Sequence, residues 1–262
     1  MADGQYGELL HRQSDRIVDN SGRGDVECER KIMWEVGDRN YVPGPAPTYG
    51  GSFVAGVSAG GAGATQTFSA AAAGANHAVL VLVTNKFING SAWTGVSITA
   101  TGWTFVQIGS ITSEPSVGLA NSALFVAISP NTTTRTFTVT WTGGSCEAGH
   151  NAYQIGDEFS GTNLAGGAST VTAYSVVCGS SGTSITTTVT PTRNNEMLWA
   201  GTLCAGNPSA GSGYTQGSID SANDISEYKT LNGGVGASQT VNMTQSPGGY
   251  WMLGAAAISG VK

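Results

Sequence analysis

The chain has 262 residues, 40% of them apolar and 39 of them glycine, a composition that supplies a packed core and many turns rather than long helices. Its net charge of −6, from 11 basic and 17 acidic residues, leaves no basic surface for neutralising phosphates, so no nucleic-acid partner is expected. No apolar run approaches the roughly 20 residues that span a membrane, and the opening MADGQYGELLHR has no apolar stretch that could act as a secretory signal.

Charge is unevenly spread: 15 of the 28 formal charges lie in residues 1–48, and the remaining 214 residues hold 13. The chain therefore divides into a charged N-terminal arm, 1–48, and a neutral body, 49–262. Within the arm, Leu9, Leu10, Ile17 and Val18 fall near helical spacing over 7–20, which predicts one short helix. SGRGD breaks it, and ECERKIMWEV then reads as an amphipathic strand or a short helix. Arg23-Gly24-Asp25 spells the integrin-binding tripeptide, but a glycine-punctuated turn explains it equally well. Pro43, Pro45 and Pro47 make 42–50 an extended linker. The arm is too poor in apolar residues to build a core, yet Leu9, Leu10, Met33 and Trp34 need cover. Such a segment either stays a tail or orders on a partner.

The body reads as short strands between Gly, Ser and Asn turns: HAVLVLVT, GVSITATG, WTFVQIGSI, SALFVAIS, RTFTVTWTG, NAYQIGDEF and a comparable later series. In RTFTVTW, alternation sends Phe137, Val139 and Trp141 to one face and Thr138 and Thr140 to the other. The series repeats. Asn76 with HAVLVLV matches Asn195 with EMLWAGTL, Gly102-Trp103-Thr104 matches Gly213-Tyr214-Thr215, and SALFVAI matches SEYKTL. RTFTVTW matches SQTVNMT, and AYQIGDEFSG matches YWMLGAAAISG. Each half has an apolar face that needs an opposing one. The expected fold is therefore all-β: a single antiparallel β-sandwich, jelly-roll-like, made of two pseudo-repeated halves (roughly 65–161 and 183–260) behind an extended arm.

Chemistry is sparse. Cys28, Cys146, Cys178 and Cys204 show no CxxC spacing, and the only histidines are His11, His77 and His150, so neither a zinc site nor any cofactor is expected. Reduced cysteines suit a cytosolic origin, with a Cys178–Cys204 pair open to a protein later released. The densest polar cluster is Cys146, Glu147, His150, Asp157 and Glu158. Asp157 and Glu158 are neighbours on one strand, so they point to opposite faces and cannot act together on a glycosidic bond. Glu158 is expected to satisfy backbone donors near the strand end, and Asp157 to be exposed. Asp220, Asn223 and Asp224 are the best calcium candidates but lack EF-hand spacing, and a solvated hairpin tip is the simpler reading. Trp141, Trp199 and Trp251 sit in alternating strands and read as core. Trp93, in NGSAWTG, is the tryptophan expected at the surface and the candidate ligand contact.

The strand signatures of Asn76–Val83, Gly102–Thr104 and Tyr153–Gly161 resemble, in that order, a β-sandwich domain of bacteriophage virion proteins and bacterial surface proteins. The resemblance covers roughly 65–260 and implies a structural or binding role without catalytic residues. The resulting expectation is a non-enzymatic virion subunit, a capsid decoration or tail appendage, made in the host cytoplasm without a signal peptide. Leu9, Leu10, Ile17, Val18, Met33 and Trp34 would anchor it to other virion proteins. A homo-oligomer, a trimer by guess, completes the expectation. The alternatives are a carbohydrate-binding module or lectin-like adhesin using loop aromatics, and a secreted glycan-degrading enzyme.

Overall fold

A computed structural model describes residues 44–260 apart from 58–63, 86–91, 115–119, 144–151, 163–169, 221–223 and 234. The arm residues Leu9, Leu10, Ile17, Val18, Met33 and Trp34 lie outside the described residues, as do Arg23-Gly24-Asp25, Cys28, Cys146, Glu147, His150 and Asn223.

Among the described residues the secondary structure is strand, with no helix. The first half contains β1 (Thr48–Val57), β2 (Thr65–Ala70), β3 (Ala78–Asn85), β4 (Gly95–Ala100), β5 (Trp103–Glu114), β6 (Ala120–Ile128), β7 (Arg135–Thr142) and β8 (Ala152–Ser160). The second contains β9 (Val171–Gly179), β10 (Ser184–Val189), β11 (Glu196–Cys204), β12 (Asn207–Ser209), β13 (Thr215–Ile219), β14 (Ile225–Leu231), β15 (Gln239–Ser246) and β16 (Trp251–Ser259). All pairings between them are antiparallel.

The all-β antiparallel sandwich of two repeated halves is what forms, and the repeat extends to topology. The order β1-β8-β3-β6-β5 followed by β4-β7-β2 in the first half is matched in the second by β9-β16-β11-β14-β13 and β12-β15-β10. Each half gains a strand that the sequence comparison did not include, β1 and β9. Backbone conformations match as well: Asn76 and Asn195 have φ of 62° and 56°, and Gly102 and Gly213 have φ of 81° and 82°. The left-handed turn that opens each central strand has thus been kept in both copies.

The first half is one eight-stranded sheet folded into two layers where β5 pairs with β4, and the second half has a five-stranded and a three-stranded sheet. Phe53, Phe68, Val79, Val81, Val83, Phe125, Phe137, Val139 and Trp141 fill the space between the layers of the first half. Ile185, Leu198, Ala200, Val241, Met243, Leu253 and Ala255 do so in the second. A third layer joins the halves back to back: Leu80, Leu82, Leu124, Val126, Ile155 and Phe159 meet Met197, Trp199, Ala256 and Ile258. The five-stranded layers are therefore covered on both sides, so β3 is buried at every position whereas β2 alternates. This is why HAVLVLV is a continuous apolar run and RTFTVTW is not. Each fully buried Leu or Ile in the middle layer stabilises it by roughly 1.5–3 kcal/mol. Gly254 permits the close approach, because a β-carbon there would stand 2.7 Å from Leu82 Cδ1.

The halves meet as an isologous pair does, with β1 against β13 and β5 against the corresponding β9. Ser218 Oγ donates to Ser52 Oγ at 2.6 Å on one side, and Thr112 Oγ1 donates to the Val176 carbonyl at 3.1 Å on the other. Two repeat registers differ from the sequence match. Partnering aligns Val126 with Tyr228 and Phe137 with Val241, where SALFVAI/SEYKTL and RTFTVTW/SQTVNMT slip by two residues and by one. The expected linker is held to the body: Asn195 Nδ2 donates to the Gly44 carbonyl at 3.1 Å, Pro47 is buried, and β1 starts at Thr48.

Candidate functional sites

Six carboxylates of the body, Asp157, Glu158, Glu196, Asp220, Asp224 and Glu227, are buried. Buried carboxylates need partners or protons, so each marks a place to examine.

Asp157 is 0% exposed, not at the surface as its charge suggested. On β8 it faces the other half, where Trp199 Nε1 donates to Oδ2 at 2.7 Å and Ser218 Oγ to Oδ1 at 2.5 Å. Ser226 Oγ also donates to Oδ2, and Tyr49 Oη to Oδ1 at 3.2 Å. Three of the four donors come from the second half. Gly217 keeps the spot open, since a β-carbon there would lie 2.7 Å from Asp157 Oδ2. Burial still pushes the Asp157 carboxyl above the ordinary aspartate value, with the four donors pulling it down. Tyr49 stacks on Tyr228 at 4.3 Å beside it, and burial together with the Asp157 charge raises its phenol. The arrangement is a polar pin between halves. Its carboxylate is closed off from solvent.

Glu158 faces the opposite side of β8, as alternation requires, and accepts the Ala73 N–H on both oxygens at 2.8 and 2.9 Å. His77 Nδ1 lies 3.6 Å away. The expected backbone-satisfying role is thus what the structure shows.

Glu227 lies inside the second half, at the position that Phe125 occupies in the first. Its Oε2 accepts the Gly211 N–H at 2.6 Å, and burial pushes its carboxyl up to about 7 despite that bond and nearby Lys229. Lys229 Nζ sits 4.5 Å over the Tyr214 ring. Burial likewise raises Glu196, opposed by Thr172 and Arg193.

The expected solvated tip at Asp220 and Asp224 is buried, because both carboxylates cap backbone. Asp220 Oδ1 accepts the Asp224 N–H at 2.9 Å, and Asp224 Oδ1 accepts the Cys204 N–H at 3.3 Å. No group of three potential metal ligands forms among the described residues. Cys178 and Cys204 are not disulfide-bonded. They pair with Met252 and Trp251 on opposite sides of β16, so two strand spacings, about 10 Å, separate them and exceed disulfide reach.

Trp93 is 4% exposed, contrary to its expected place at the surface. Its ring stacks on Trp141 at 5.3 Å, and its backbone N–H donates to Asn121 Oδ1 at 3.2 Å. Apolar area and a buried acceptor draw the segment inward. Trp141, Trp199 and Trp251 are core, as expected.

The Asn121 contact leads to a polar layer inside one end of the first half. Asn85 on β3 stands directly opposite Asn121 on β6 and Ala152 on β8. Asn85 Oδ1 accepts the Asn121 N–H at 2.7 Å, Ser113 Oγ donates to Asn121 Oδ1 at 2.5 Å, and Gln66 Oε1 accepts the Ala152 N–H at 2.9 Å. Gln154, one inward position along β8, is also fully buried. Sequence reading passed over these amides because each lies in a different strand and no local motif joins them.

Comparison of the chain with protein-family models, with curated proteins and with solved structures finds no match.

Proposed function

We propose that this chain is a structural subunit of a bacteriophage virion, a capsid decoration or tail appendage, attached through residues 1–48. One observation carries the reading: six carboxylates of the body are buried, and Arg135, Arg193 and Lys229 are half-buried. A free-standing protein keeps a mixed-charge surface to stay dispersed, whereas a neutral surface suits a subunit packed among others. The six buried carboxylates are occupied with joining strands, capping turns and pinning the halves, which accords with a role without catalysis. The charge of the chain is concentrated in the arm, where Leu9, Leu10, Ile17, Val18, Met33 and Trp34 would order on another virion protein or on symmetry mates.

Because residues 44–47 are held to the body, the informative deletion stops at Asn40, where the compact unit Tyr41–Lys262 begins. The expected outcome is a folded protein that no longer enters particles. Incorporation at the full-length level would refute attachment through the arm. Sedimentation of the full-length chain tests the trimer.

A further inference from the structure

The two halves each leave one sheet edge open in the same way, at β2 and at β10. Trp141 N–H donates to the Ala64 carbonyl at 2.9 Å, and the same register continues through Gln66 with Val139 and Phe68 with Phe137. Antiparallel pairs alternate between bonded and non-bonded, so the backbone N–H and C=O groups of Thr65, Thr67 and Ser69 point away from β7. In the second half Gln245 N–H donates to the Thr183 carbonyl at 2.8 Å, and the register continues through Ile185 with Met243. The outward groups there belong to Ser184, Thr186 and Thr188. All of these outward residues are exposed, and among the described residues no backbone group bonds to their outer edge.

The remaining edges are blunted. Pro208 removes a donor from β12, register shifts interrupt β1 and β13, and Thr112 Oγ1 already occupies the Val176 carbonyl on β9. β2 and β10 have none of these devices. TQTFSA and SITTTV contain no proline and no charge, and each pairs with its neighbour without a shift. An edge so regular is a template for another strand.

We infer that β2 and β10 are the complementary edges of a head-to-tail contact between copies of this chain, β2 of one copy adding antiparallel to β10 of the next. Side-chain matching selects this partner. With Thr65 opposite Thr188, Thr67 opposite Thr186 and Ser69 opposite Ser184, each opposed pair exchanges both backbone bonds and sets hydroxyl against hydroxyl on the outer face. On the inner face Phe68 then meets Ile185, and Gln66 meets Thr187. Fully overlapped self-pairing would instead oppose Phe68 to Gln66 in β2, or Ile185 to Thr187 in β10. A contact between two different edges of one chain is heterologous, building a ring where the rotation closes and a filament where it does not. The inference concerns self-association alone, so it stands or falls apart from attachment through the arm.

The test is sedimentation velocity of the full-length chain over a range of concentrations, with hydrogen exchange on the same samples. Wild type should self-associate, and the outward amides of Thr65, Thr67, Thr186 and Thr188 should gain protection as concentration rises. Thr67→Lys together with Thr186→Lys sets like charges opposite each other and should weaken association about tenfold. Thr67→Lys together with Thr186→Glu sets opposite charges there and should restore it. Self-pairing could not be rescued in this way, because it places lysine against lysine and glutamate against glutamate. Both positions are exposed, so the melting temperatures should match wild type. A wild-type chain that stays monomeric, or association that leaves these amides unprotected, overturns the inference. So does a like-charge variant that associates as wild type does, or an opposite-charge variant no better than the like-charge one.

Discussion

Replacing Asp157 separates what its shape contributes from what its charge costs. In Asp157→Ala four donors lose their acceptor, but not all are stranded. Ser218 Oγ can turn to Ser52 or to the Gly156 carbonyl, already 2.6 and 3.4 Å away, whereas buried Ser226 Oγ, though it still accepts the Ser218 N–H at 2.7 Å, loses the acceptor for its own proton. Tyr49 is only half-buried and reaches water. Trp199 Nε1, fully buried, has no substitute. Two orphaned donors plus a small cavity predict a loss of about 3–6 kcal/mol. Asp157→Asn keeps the shape. Its oxygen must take the Trp199 side, because an indole only donates, and its amine then faces Ser218 and Tyr49, whose hydroxyls can accept. Wild type carries a carboxyl whose folded pKa lies above its unfolded value. Its contribution is therefore fully present below the unfolded value, about 3.9, and is lost as pH rises through the folded one. Asparagine has no such loss. Urea unfolding at pH 4 and pH 7 should place Asp157→Asn within about 1 kcal/mol of wild type at the lower pH and at or above it at the higher. If Asp157→Asn is as damaging as Asp157→Ala at both pH values, the ionised carboxylate is itself favourable and the reasoning fails.

Glu227, with its carboxyl near 7, follows the same sign: stability should fall as pH rises from the ordinary glutamate range through 7, and Glu227→Gln should flatten that slope in melting curves. Trp93→Ala should cost about 3–5 kcal/mol, as for a buried aromatic, and native-state acrylamide should fail to reach Trp93. An unfolding midpoint unchanged by the substitution would place the ring back at the surface. Peptide mapping after mild oxidation should find no Cys178–Cys204 link; recovering one would contradict the intervening strand β16.

Strand positions, the repeat and the identity of the core tryptophans were legible because they rest on local alternation and on order along the chain. The doubling of layers within each half was not. It follows from which apolar runs are covered on both faces, and HAVLVLV shows that signal only once RTFTVTW is recognised as covered on one. β1 was hidden by glycines that made TYGGSFVAGV look like a continuation of the proline linker. Asp157 was misplaced because its partners Trp199, Ser218 and Ser226 lie 42 to 69 residues away. A charged residue is read as exposed until such partners are known. Trp93 was misplaced for a related reason, since a loop aromatic looks available until Trp141 and Asn121 are seen to hold it.

The back-to-back layer has a thermodynamic consequence. In a dimer of separate sandwiches the Leu80, Trp199 and Ile258 layer would form only as fast and as fully as protein concentration allowed. Joining the two sandwiches in one polypeptide turns that association into an intramolecular event with a high effective concentration. The unfolding midpoint of this layer should then be independent of dilution. With pairing guaranteed by the covalent link, the two copies are released from having to be identical. One could take up Asp157 and its amides while the other received Trp199, Ser218 and Ser226.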